Sequence, residues 1–91
     1  VTLARRNPKR DANEADIVMA LESLGFHVTR LSGDGVPDLL LSRNYAWSVA
    51  EVKSDKGRLT VAQRRFHEMA KASVPVFRSI SDAVIWSGTR P

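Results

Sequence analysis

Apolar residues recur along this chain in two rhythms, and each change of rhythm marks a boundary between elements. Ile17, Val18, Leu21 and Leu24 follow i, i+1, i+4, i+7 spacing, which lays one stripe along a helix that starts near Asp11 and ends at Gly25. Asp11 followed three residues later by Glu14 predicts a capping pair at its start. Phe26, Val28 and Leu31 predict a short strand, closed by the turn-forming run Ser32-Gly33-Asp34-Gly35. Asp38-Leu39-Leu40-Leu41-Ser42 reads as a second strand, Arg43-Asn44-Tyr45 as a turn, and residues 47–53 as a third strand. Thr60 with Gln63 three residues on is a capping box, opening a helix expected to run to about Ala72 and to bury Val61 or Ala62, Phe66, Met69 and Ala70. Val74, Val76 and Phe77 predict a fourth strand, and residues 81–86 one or two closing helical turns. Short connections make the first three strands an antiparallel meander, whereas the helical crossover suits a parallel pair. The expected fold class is α/β, with an αβββαβ order and a mixed four-stranded sheet flanked by helices.

The length of 91 residues suits one domain, assigned to residues 11–91, behind a basic arm at residues 1–10 that carries Pro8 and four cationic side chains. The absence of cysteine excludes disulfides, thiolate metal sites and thiol nucleophiles. No apolar run approaches the roughly 20 residues that cross a bilayer, and the first ten residues lack the apolar stretch of a secretion signal, so a cytoplasmic location is expected. The net charge is +4, with basic residues grouped at Arg5, Arg6, Lys9 and Arg10 and again at Lys53, Lys56, Arg58, Arg64 and Arg65. Such grouping suits a polyanionic partner, although charge alone is equally compatible with a solvated surface.

Two carboxylates and a lysine fall in segments that otherwise read as buried strand. Side chains alternate along the third strand, so Glu51 and Lys53 share a face, and an antiparallel meander brings Asp38 beside Glu51. Carboxylates converging there repel each other unless a cation lies between them. Mg2+ or Mn2+, hard ions that take oxygen ligands and substrate phosphate, suit that position, with Lys53 placed to orient water or to stabilise charge on a phosphate. The bland alternative is a Glu-Lys pair on a half-exposed strand, which describes most isolated E-x-K triplets. Lys56, Arg58, Arg64 and Arg65 flank these residues as candidate phosphate contacts, with a solvated helix face as the other reading. His27 and His67 read as surface histidines without a catalytic role, in preference to a phosphate contact by His67, which lies one helical turn after Gln63. Trp47 and Trp86 read as core or interface residues in preference to base-stacking platforms.

The setting of the triplet narrows the reading. Arg10-Asp11-Ala12-Asn13-Glu14, GVPDLL at 35–40, AEVKS at 50–54 and Arg58-Leu59-Thr60-Val61-Ala62-Gln63 together resemble the VRR-NUC branch of the PD-(D/E)XK nuclease superfamily, over about residues 10–86. That resemblance implies a restriction-endonuclease-like core. Asp38 and Glu51 correspond to metal-binding carboxylates, the Val52 carbonyl to a backbone ligand and Lys53 to the catalytic lysine. Glu14 corresponds to the acidic residue of the first helix and Gln63 to a supporting glutamine, although capping accounts for both positions as well. The resemblance further implies a phage-type homodimer, in a phage or bacterial host cell, that hydrolyses branched or duplex DNA with Mg2+ or Mn2+. Arg10 joins Lys56, Arg58, Arg64 and Arg65 as an expected DNA contact. A nucleic-acid-binding module that keeps the fold without turnover is the alternative.

Overall fold

A computed structural model describes residues 10–91. The expected basic arm therefore lies outside the described residues except for Arg10. The elements follow the order α1 (Glu14–Ser23), β1 (His27–Arg30), β2 (Leu39–Arg43), β3 (Ala46–Val52), α2 (Val61–Met69), β4 (Val76–Phe77) and α3 (Ile80–Ser87). The chain is a small α/β domain with a mixed four-stranded sheet in the order β1-β2-β3-β4. Both β1–β2 and β2–β3 are antiparallel, and β3–β4 is parallel across the α2 crossover. No helix among the described residues is long and apolar enough to cross a membrane.

Alternation along the strands divides the sheet into two unlike faces. Leu39, Leu41, Ala50, Val52 and Phe77 point to one side and are fully buried with Ile17 and Leu21 of α1 and Ala83 of α3. Burial of each large aliphatic or aromatic side chain here contributes roughly 1.5–3 kcal/mol. Trp86 closes this core between Phe26 and Phe77, both 5.4 Å away centroid to centroid. Glu51 points to the opposite side, where α2 lies.

The β2–β3 hairpin turns through Asn44 and Tyr45, both in the left-handed region with φ of 53° and 63°, the two-residue turn whose twist matches that of paired strands. Arg43, expected in the turn, instead ends β2. Its guanidinium stacks 4.1 Å over Phe26 and donates to the carbonyls of Leu24, Ser87, Arg90 and Pro91, fastening the C-terminal ends of α1 and α3.

Four further expectations need correction. The Asp11–Glu14 capping pair does not form: Asn13 is the N-cap of α1, and Glu14, now the first helical residue, is drawn into ion pairs by two arginines. The fourth strand is only two residues long and excludes Val74. The apolar residues of α2 are not buried, with Val61 74%, Phe66 36% and Met69 71% exposed. The reason is a rotation of the helix. Gln63 and His67, one turn apart, face the sheet and bind Glu51, which swings Val61, Phe66 and Met69 into a groove beside Gly35. The helix also ends at Met69, before the predicted Ala72, and Lys71 adopts φ 55° just beyond it.

Gly35 sets how closely α2 can approach. It is buried at φ +77°, and a Cβ there would lie 2.7 Å from the Ala62 carbonyl oxygen. Gly25 has a similar φ of +93°, but its nearest obstacle would be the flexible Arg43 side chain at 3.6 Å. Gly25→Ala should therefore cost only the left-handed strain, about 1–2 kcal/mol. Gly35→Ala should cost clearly more, because backbone must also move. Urea denaturation of the two variants checks the order, and equal losses would contradict the close approach.

Candidate active site

The candidate residues converge where β3 ends. Asp38 immediately precedes β2, and its Oδ2 accepts a hydrogen bond from the Val52 amide at 2.7 Å. The register explains why. Continuing the ladder by two residues from the Leu39–Ala50 pair sets Pro37 opposite Val52. The amides of Glu51 and Lys53 donate to Pro75 and Phe77 on the β4 side, at 2.9 and 3.1 Å. Alternation then aims the Val52 amide and carbonyl at β2, where Pro37 has no N–H to offer. The Asp38 carboxylate takes up the amide, and the Val52 carbonyl receives no ladder hydrogen bond from its partner residue.

Glu51 is entirely buried. Its Oε2 accepts from the Gln63 side-chain amide at 3.2 Å, and its Oε1 lies 3.1 Å from His67 Nε2. Burial pushes the Glu51 carboxyl from its ordinary 4.5 to about 8, reinforced by the neighbouring Asp38 carboxylate, while Lys53 opposes the shift. Burial also lowers the His67 pKa, so its imidazole is neutral near pH 7.

Gln63 performs two tasks at once. Its Oε1 accepts from the Thr60 amide to complete the capping box, while its amide nitrogen binds Glu51. A cleft of about 670 Å3 opens over these groups, lined by Arg10, Ser32, Gly33, Asp38, Lys53 and Gln63 among others. Val52 borders it too, although its side chain belongs to the core. The Lys53 ammonium forms no ion pair among the described residues.

The first helix supports this cleft from the other side. Glu14 is buried and its carboxylate is bound by Arg10 at 3.1 Å and Arg30 at 2.9 Å. Arg10 also donates to the Leu31 carbonyl at 2.7 Å and lies 3.7 Å from Asp38 Oδ1. Glu14 thus reaches Asp38 only through Arg10. Asn13 donates to the carbonyls of Lys53 and Arg78, joining the start of α1 to the end of β3.

Lys56, Arg58, Arg64 and Arg65 are exposed and do not line the cleft. Lys56 and Arg58 lie on the loop before α2, and Arg65 borders the apolar groove outside it. Sequence reasoning undervalued one contributor and missed two. His67, expected chiefly at the surface, has a side chain only 17% exposed that touches Glu51. Its i, i+4 spacing from Gln63 is the signal that points to the site. Arg30, which shares Glu14, and Arg78, which donates to the Ser54, Asp55 and Gly57 carbonyls and braces the loop after β3, carry no comparable signal.

The donor set suits a hard divalent cation: two carboxylates in mutual contact and a main-chain carbonyl left without a ladder donor. Among the described residues no group of three or more His, Cys, Asp or Glu forms a metal cluster. A site of two carboxylates and one carbonyl has fewer such side chains, and Mg2+ commonly completes its shell with water and phosphate oxygens. No protein-family model, curated protein or solved structure matches this chain.

The Glu51 shift has a consequence for stability. Between 4.5, where the unfolded chain releases this proton, and about 8, where the folded protein does, the native state binds more protons. Stability from this group is therefore lost as pH rises through that window and is flat above it. The melting temperature in EDTA should fall across the window, and Glu51→Gln should flatten the decline. An unaltered slope in Glu51→Gln would assign the pH dependence to other groups.

Proposed function

We propose that this protein is a metal-dependent endodeoxyribonuclease with a restriction-endonuclease-like core of the VRR-NUC type. The observation that carries the reading is the meeting of Asp38 and Lys53, which line one cleft, with the fully buried Glu51 behind them. A protein that only bound nucleic acid would gain nothing from a buried carboxylate with a second one beside it at a phosphate-facing cleft.

Asp38, Glu51 and the Val52 carbonyl would hold Mg2+ or Mn2+. When bound, the cation supplies Lewis-acid polarisation of a phosphate oxygen and of the attacking water. Lys53 directly follows β3, continues its alternation on the side of Glu51 and offers a positive charge and three hydrogen-bond donors to the phosphate as negative charge develops there. Gln63 holds Glu51 in place, and Thr60 fixes Gln63 through the capping box. Arg10 neutralises Asp38 from the α1 side.

The exposed Lys56, Arg58, Arg64 and Arg65 would act outside the cleft, attracting the DNA backbone and contributing affinity without sequence information. Branched or duplex DNA is the proposed substrate, because no helix among the described residues reads as a base-contacting element. A homodimer, which would present two sites to the two strands of a junction, is part of the proposal. The exposure of Ile80, Val84 and Ile85 near the chain end supplies apolar surface for it.

Labelled duplex and junction DNA incubated with Mg2+, Mn2+ or EDTA tests the activity directly: cleavage should require the metal and disappear in Asp38→Ala and Glu51→Ala. Cleavage in EDTA, or near-normal cleavage by either variant, would overturn the assignment. Lys53→Met keeps the aliphatic stem and removes the charge. It should retain metal affinity by calorimetry while turnover falls by about 10²–10³, the usual cost of losing one donor to the transition state. Collapse of metal affinity in Lys53→Met would show that the lysine shapes the metal site itself. Light scattering should give a mass near twice 10.1 kDa. A monomer that stays monomeric on junction DNA would leave a single-site nicking enzyme.

A further inference from the structure

We infer that His67 is a positioning residue of the site, one half of a clamp on α2 that fixes the Glu51 carboxylate in its metal-ligating orientation. The inference rests on the metal-dependent reading given above and goes beyond it by assigning a residue that acts through a ligand.

The geometry is specific. Gln63 and His67 stand one helical turn apart and each takes a different oxygen of one carboxylate, Oε2 at 3.2 Å and Oε1 at 3.1 Å. Two separate anchors fix both the position of the carboxylate and the rotation of its plane, which a single anchor leaves free. A carboxylate oxygen has two acceptor directions, so one on each oxygen remains for a cation on the Asp38 side. Partners of this kind hold ligands in register, and their removal typically weakens metal binding about 10- to 100-fold.

Packing does not account for the contact. No residue of α2 is buried, and the large apolar side chains of the helix are exposed. His67 is nevertheless turned inward to 17% side-chain exposure, over a carboxylate with none. Among the described residues, the side-chain hydrogen bonds from α2 to the sheet are those of Gln63 and His67 to Glu51. The helix is rotated to make them at the expense of burying Phe66 and Met69.

The test compares His67→Phe, which keeps a ring and removes the nitrogen that meets Glu51, with His67→Gln, whose amide can occupy the place of Nε2. Mn2+ binding to the full chain is measured by calorimetry, alongside melting temperature in EDTA and junction cleavage. His67→Phe should bind Mn2+ about 10- to 100-fold more weakly with a near-normal metal-free melting temperature, and His67→Gln should recover most of the affinity. His67→Ala replaces the phenylalanine variant if the latter does not fold. Wild-type affinity in the variant lacking that nitrogen would overturn the inference while leaving the metal site intact. So would an affinity loss that His67→Gln fails to rescue, because it would indicate a packing role. Absence of Mn2+ binding by the wild-type protein would instead remove the metal-dependent reading and this inference with it.

Discussion

A carboxylate sealed inside a protein must be neutralised, either by holding its proton or by meeting a cation, and the placement of Glu51 imposes that choice on this molecule. Glu51 is fully buried, with Asp38 against it, and its proton is held up to about pH 8. Lys53, just past the end of β3, offsets the charge only partly. Much of the surrounding architecture addresses this group: Gln63 and His67 come from α2, Asp38 from the start of β2, and Arg10 reaches Asp38 from the α1 side. A protein selected for stability alone would gain more from an apolar residue at position 51.

The sheet separates the apolar core from the candidate site. Its inner face carries Leu39, Leu41, Ala50, Val52 and Phe77 against α1 and α3, and this side is densely apolar. Its other face carries Glu51 under a helix with no buried residue of its own. Consecutive residues of β3 thus serve opposite purposes, Val52 contributing its side chain to the core while its main chain borders the cleft. Pro37 links the two functions, since it ends the β2–β3 ladder and thereby releases a carbonyl beside the carboxylates.

The rim of the cleft is held by cations turned inward. Arg10 and Arg30 share Glu14, Arg78 secures the loop after β3, and Arg43 fastens the helix ends at the opposite pole. The basic excess seen in the composition is therefore divided. Arg10, Arg30, Arg43 and Arg78 are bound within the fold, whereas Lys56, Arg58, Arg64 and Arg65 remain at the surface. Net charge does not distinguish these uses, because a guanidinium bound to carbonyls counts the same as one facing solvent.

Local patterns determined most of the element order. The stripe of Ile17, Val18 and Leu21, the alternation through β3 and the Thr60–Gln63 box each depend on interactions within a few residues, so they are legible in sequence. The alternation also placed Glu51 and Lys53 on one face, and the meander placed Asp38 near them. Only the tertiary structure decided what depends on long-range geometry. The rotation of α2 about its axis, which exposes Phe66 and turns His67 inward, follows from a carboxylate twelve residues before Gln63 and sixteen before His67. Glu14 left its expected capping role because Arg30, on another element, competes for its carboxylate. Periodicity records which residues share a face, but the partner that a face meets is set by the packing of distant segments, and polar contacts there can outweigh the burial that an apolar stripe predicts.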